Sequence, residues 1–143
     1  MLEDLIRRNR SCRRFFQHES IPVETLRWLV NLARLSASAA NLQPLRYILS
    51  NDPRKNAAIF SCLAWAGYLQ DWPGPPEGER PAAYLVVVGD KSCATTLATD
   101  VGIAAQSILL GAREKGLAGC MIGSIQRDRL RESLRIPDGF EIV

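Results

Sequence analysis

Apolar positions along this chain recur with two different periods, and the switches between them mark out the elements. Leu26, Leu29, Val30 and Ala33 fall at i, i+3, i+4 and i+7, the stripe of an amphipathic helix. That helix is expected to start at a Ser20 cap, with Pro22 in its first turn, and to reach about Leu35. Ala83–Val88 (AYLVVV) is a short, continuous, β-branched run, the pattern of a strand buried on both faces. Arg46–Leu49 reads as another strand, closed by the turn signal Ser50-Asn51-Asp52-Pro53. Leu97–Lys115 is the longest predicted helix. Val101, Ile103, Ala104, Ala105, Ile108, Leu109, Leu110 and Ala112 make it apolar nearly all round, which places it in a core or at a subunit interface. Gly116 is placed to end it in the left-handed conformation.

The remaining segments are shorter. Leu2–Asn9, Arg54–Leu69 and Arg127–Leu134 predict helices, and Gly119–Ile122 predicts a short strand leading to Gly123. Asp71–Pro81 (DWPGPPEGERP) is an irregular loop by its prolines and glycines. Helices outnumber strands, and no strand–helix–strand rhythm repeats, so the expected class is α+β in a single domain spanning 1–143. Phe140-Glu141-Ile142-Val143 reads as the opening of a strand with no polar tail after it. The expectation is therefore a fold that lacks its C-terminal strand and arm in this chain.

Charge adds what periodicity does not. Residues 1–46 hold eight Arg against four Asp/Glu, whereas residues 47–143 hold ten Lys/Arg against eleven. The excess of basic residues is thus one local spot, Arg7–Phe15 (RRNRSCRRF), and the overall +3 is too small to argue for nucleic acid. Cys12, Cys62, Cys93 and Cys120 lie far apart, with His18 the lone histidine, which argues against a structural zinc site or a disulfide scaffold. Reduced thiols, no signal-peptide core and no apolar run of about 20 residues predict a cytoplasmic protein without a membrane segment.

Three segments have the chemistry to hold a ligand. If the backbone turns after Asn9, then Arg10, Ser11 and Arg13 can converge on one anion, because guanidiniums bind phosphate bidentately. The alternative is a solvated basic helix end opposing the helix dipole. Ser36–Gln43 sets two hydroxyls, Asn41 and Gln43 among alanines, which suits the edge of a planar polar heterocycle or an ordinary polar loop. Gly116–Gly123 (GLAGCMIG) carries three glycines that let backbone amides approach a ligand, without the spacing of a dinucleotide fingerprint.

In this order the three segments resemble the FMN-dependent nitroreductase family. Arg10-Ser11-Cys12-Arg13-Arg14-Phe15 is similar to its R-S-x-R-x-F motif, and Ser38-Ala39-Ala40-Asn41-Leu42-Gln43-Pro44 to its S-[AS]-x-N-x-Q-P motif. Asp100–Gly123 resembles its long central helix and flavin-side strand, and Leu134-Arg135-Ile136-Pro137 its L-x-I-P turn. Ala37 and Leu45 depart from the family's usual proline and aromatic residue. The resemblance implies a mainly antiparallel sheet flanked by helices, in a homodimer binding two FMN at its interface. Arg10, Ser11, Cys12 and Arg13 would grip the phosphate and pyrimidine edge. Ser38, Asn41 and Gln43 would serve the flavin on the partner subunit, and the backbone of Met121, Ile122 and Gly123 would lie beside the reactive edge. It further implies hydride from NADH or NADPH passed to a small electron-poor acceptor such as a nitroaromatic or quinone. No dedicated catalytic side chain is required, and His18 is expected at the surface. A catalytically silent flavin-binding or interaction module of the same fold is the alternative.

Overall fold

Three antiparallel strands in the order β1-β2-β3 divide the molecule into two cores, one on each face of the sheet. A computed structural model describes all residues 1–143. The elements are α1 (Leu2–Arg8), α2 (Val23–Arg34), β1 (Leu45–Ser50), α3 (Pro53–Phe60), β2 (Tyr84–Asp90), α4 (Leu97–Glu114), α5 (Arg127–Leu134) and β3 (Phe140–Ile142). Short 3₁₀ turns occupy Ala39–Asn41 and Lys91–Thr96.

The alternation of side chains along β2 explains the two cores. Val86 and Val88 face α3 and α5, packing with Ile59, Cys62, Leu130, Ile136 and Ile142. Leu85, with Tyr47 and Leu49 of β1, faces the other way onto α2 and α4, where Leu26, Leu29 and Ala33 meet Ala104, Ile108 and Ala112. A strand with period-2 side chains and an apolar run on both faces has to be covered on both sides. The α2–α4 contact is close because Gly111 carries no Cβ; one added there would strike Leu32 Cδ1. Gly116, at φ +74°, ends the helical run as its sequence position predicts.

Three features differ from the sequence reading. Ser20 does not cap α2: Pro22 occupies the N-cap position, without a side-chain hydrogen bond. The helix expected to reach Leu69 stops at Phe60. Beyond it the backbone turns away to pair with distant chain: Ala64 N–H donates to Ser124 O (2.9 Å), Gln126 N–H to Cys62 O (2.8 Å), and Leu63 bridges Ile125. Local helical periodicity loses here to long-range pairing. Gly119–Ile122 forms no regular element and joins no sheet; its neighbour is the irregular arginine segment, held by Cys12 N–H donating to Gly119 O at 3.0 Å.

Lys91–Glu114 is long and apolar enough, by length and composition, to match a membrane-spanning helix, contrary to the reading of the run alone. In the fold one side of it is covered by the rest of the chain. Ala104, Ile108 and Ala112 are buried against α2, and its first turn carries the buried Asp100.

Candidate functional site

The arginine segment leaves the helix where the sequence allows it to. α1 ends at Arg8, and Asn9 is already extended. From there the chain runs between two supports. On one side Cys12 bonds to Gly119; on the other, Phe15 N–H donates to Glu79 O (2.9 Å) and Gln17 N–H to Gly78 O (3.2 Å). The Gln17 side chain reinforces this second seam, its Oε1 accepting from Gly78 N–H (2.7 Å) and Arg80 N–H (3.3 Å). The proline-rich loop is seated in turn on Trp65, which Phe15 meets edge-on at 6.4 Å. At Gly74 (φ +106°) a Cβ would lie 2.8 Å from the Trp65 ring. The loop that composition marked as irregular is therefore the bracket of the arginine segment.

The five clustered arginines separate by partner. Arg7 pairs with Glu3 (2.7 Å) and Arg8 with Asp4 (3.0 Å), both one turn earlier on α1. Arg14 lies 3.3 Å from Glu79 Oε2, an ion pair without hydrogen-bond geometry. Arg10 and Arg13 have no acidic partner within ion-pair distance; Arg13 lies over the Tyr68 ring, 5.5 Å from its centroid. Ser11 is exposed and its hydroxyl is uncommitted, whereas Cys12 spends its N–H on Gly119 and its thiol on Arg14 O (3.0 Å). Alongside, the N–H groups of Met121, Ile122 and Gly123 donate to no protein acceptor. Met121 is exposed, and open space lies where a Cβ on Gly123 would project. Two free guanidiniums, a free hydroxyl and a run of free amides form a donor set suited to a phosphate and to the acceptor-rich edge of a flavin.

Ser38, Asn41 and Gln43 form a second group. Ser38 Oγ donates to Asp100 Oδ2 (2.5 Å) and accepts from Gln43 N–H (2.9 Å); Ala39 N–H donates to Asp100 Oδ1 (3.0 Å). The Gln43 amide donates to Asn41 Oδ1 (2.7 Å), and Arg46 donates to Gln43 O (2.9 Å). Asn41 and Gln43 are exposed. The loop rims a cavity of about 630 Å³ whose walls include Arg27, Tyr47 and Ala104 but no residue of Arg10–Arg13 or Met121–Gly123. Burial, with Asp100 nearby as a smaller effect, pushes the Tyr47 phenol up.

The two groups are thus separate within one protomer. Ser38 docks on Asp100, while Gly119 packs on Leu109, nine residues or about 13 Å further along the axis of α4. The first and third motifs come together; the second sits elsewhere. Asp100 and Gln17 received no role from the sequence. A lone carboxylate in an otherwise apolar helix is the signal that singles out Asp100, whereas the contacts of Gln17 and Tyr68 depend on tertiary pairing.

Comparison with known proteins agrees with this architecture. A family model described as the Nitroreductase family matches residues 6–143. A nitroreductase family protein from Clostridium novyi NT superposes with TM-score 0.83 at 20% identity, covering 100% of this chain and 82% of that one. An FMN-dependent nitroreductase from Clostridium difficile R20291 gives 0.76 at 23% identity, with 96% and 80% covered. Nitroreductase A from Vibrio parahaemolyticus gives 0.80 at 23%, with 99% and 64% covered. No curated protein matches significantly. At such identities the superpositions speak for the fold, and the family model speaks for membership. With a match running from residue 6 to residue 143 over an α+β fold of the same kind, the chain belongs to the nitroreductase family.

Proposed function

We propose that this protein is an FMN-dependent oxidoreductase that takes hydride from NADH or NADPH and reduces a small electron-poor acceptor such as a nitroaromatic or quinone. The observation that carries the reading is the division of the arginine cluster. Arg10 and Arg13 remain free of carboxylates beside the unspent amides of Met121–Gly123, while Arg7, Arg8 and Arg14 are paired. Bound FMN would supply the hydride chemistry itself. Arg10, Ser11 and Arg13 bind the phosphate and the pyrimidine edge, and the seam to Gly78 and Glu79 keeps them in place. The free N–H groups of Met121, Ile122 and Gly123 serve as donors along the ring edge. The Tyr68 ring supports the Arg13 guanidinium by a cation–π contact.

The protein acts as a homodimer in this reading. The Ser38–Gln43 group and the Arg10–Gly123 group lie at different levels of α4 and share no cavity, so a second copy that brings its own loop across is the arrangement that sets both groups on one ligand in this reading. α4 exposes Gly102, Ile103 and Gln106, an incompletely covered face on an otherwise apolar helix. A second copy seated there covers that face and completes the site. The four free thiols suit a reducing, cytoplasmic setting.

The test is a titration of the purified protein with FMN, followed by sedimentation and by NAD(P)H oxidation assays with nitroaromatic and quinone acceptors. The expected result is a yellow dimer with stoichiometric flavin and turnover. A dimer that takes up no FMN refutes the proposal. Bound FMN without turnover on any acceptor would identify the chain as a silent flavin-binding module instead.

A further inference from the structure

We infer that Asp100 is the positioning residue of the Ser38–Gln43 loop: its buried carboxylate, acting through the Ser38 hydroxyl and the Ala39 amide, holds Asn41 and Gln43 where they meet the flavin. The role at the flavin rests on the FMN reading above; the effect on the loop does not.

Asp100 is 3% exposed, and a carboxylate so deeply buried is tolerated only where donors surround it. Both its hydrogen bonds go to this loop, one oxygen to Ser38 and the other to Ala39. Its place in the first turn of α4 adds the helix N-terminal dipole on the same side. Ser38 then relays the constraint. Its single hydrogen is given to Asp100, so its oxygen is oriented to accept from Gln43 N–H, five residues along the chain. The Ser38 hydroxyl is thereby a structural link, and Asn41 and Gln43 are the loop's contact groups.

The loop needs such a link because of its backbone. Ala40 (φ +49°), Asn41 (φ +53°) and Gln43 (φ +49°) all sit in the left-handed region that L-residues rarely adopt. Three such residues in four persist only where surrounding contacts over-determine them. The Asp100 carboxylate provides that contact from α4, the element whose other end lies beside Gly119, and the loop's own Ser38 hydroxyl passes it on.

The variants Asp100→Asn, Ser38→Ala, their combination and Ser38→Thr test this. Amide hydrogen exchange of residues 39–43 is measured in flavin-free protein, and FMN dissociation constants and flavin circular dichroism in the holo form. Asp100→Asn and Ser38→Ala are each expected to speed exchange of Asn41 and Gln43 by at least about 10-fold, leaving β2 amides unchanged. Each is expected to weaken FMN by about 10- to 100-fold with an altered flavin dichroism. The combined variant should be no worse than the more severe single one, because both cut the same chain. Ser38→Thr, which keeps the hydroxyl, should restore wild-type values. Loop exchange and FMN affinity within about twofold of wild type in both single variants would overturn the inference, as would a fully additive double variant. Should Asp100→Asn fail to fold, the Ser38→Ala and Ser38→Thr pair decides, since both retain the carboxylate. A wild-type protein that takes up no FMN removes the flavin reading, while the exchange arm still decides whether Asp100 orders the loop.

Discussion

Neutralising the clustered arginines one at a time should split them into two classes. Arg10→Gln and Arg13→Gln each remove a guanidinium that no carboxylate engages, so the whole of its charge is available to an anion. A hydrogen bond between charged groups contributes about 1.5–3 kcal/mol, which corresponds to a loss of about 10- to 150-fold in FMN affinity per substitution. Arg13 is expected at the lower end, because Gln retains part of the packing on Tyr68. Arg7→Gln and Arg8→Gln behave differently. Their charges are opposed by Glu3 at 2.7 Å and Asp4 at 3.0 Å, leaving a dipolar remnant that salt screens within about 8 Å. These pairs are largely exposed, so removing one costs at most about 0.5 kcal/mol of stability and should change FMN affinity by less than about twofold. Quenching of FMN fluorescence at 0.15 M salt measures all four variants. Equal losses in both classes would mean that FMN is drawn by the diffuse field of the basic segment. The assignment of Arg10 and Arg13 as direct contacts would then fail.

Three further outcomes follow from packing and titration. Gly111→Ala drives a methyl into Leu32 Cδ1 at the α2–α4 contact and should cost about 1–3 kcal/mol in urea unfolding; an unchanged midpoint would show that contact to be loose. Ala40→Gly relieves a left-handed alanine and should raise the melting temperature by a few degrees, about 0.5–1 kcal/mol; an unchanged or lower melting temperature would show the alanine to be unstrained there. Burial raises the phenols of Tyr47 and Tyr84, so in the folded state both keep their protons above pH 10, where the unfolded chain loses them. Stability is therefore full below about pH 10 and falls as pH rises through the folded-state values. The slope is at most about 1.4 kcal/mol per pH unit for each, reduced by partial exposure, and should flatten in Tyr84→Phe.

Periodicity revealed what local chemistry decides. α2, α4 and β2 were legible because an amphipathic stripe, a long apolar run and a β-branched run are each resolved within a few residues. Helix ends with a local cause were legible too, as at Gly116. Unread were the elements fixed at a distance. Leu63–Ile125 pairing overrides the helical pattern after Phe60, and nothing near Trp65 announces it. At the site, the order of the motifs points to a flavin, but nothing local announces that the Ser38 hydroxyl hydrogen goes to a carboxylate 62 residues away. The left-handed Ala40 was equally hidden, since alanine is the residue least suggestive of that conformation.

The two halves of the site are built by opposite means, and this bears on how each responds to change. The arginine segment is held almost wholly by main chain: Cys12, Phe15 and Gln17 each bond to backbone of a neighbouring segment, and the bracket loop rests on Trp65. Side-chain substitutions there should alter binding without disturbing the scaffold, because the bonds that set the path are independent of side-chain identity. Gln17 is the exception, since its Oε1 serves two amides of the bracket loop. The Ser38–Gln43 loop is held instead by side chains, a carboxylate, a hydroxyl and two amides, around a backbone in rarely occupied conformations. There a single deletion both frees the loop and strands a buried charge. The rim at Tyr68 and Leu69 is held more weakly still. Both residues are exposed; the short turns Ala66–Leu69 and Leu69–Trp72 close it, with Arg13 over the Tyr68 ring as its tie to the arginine segment. In the FMN enzyme proposed above, a grip held by main chain beside an exposed, weakly tied segment would let the acceptor side vary without moving the residues assigned to the phosphate.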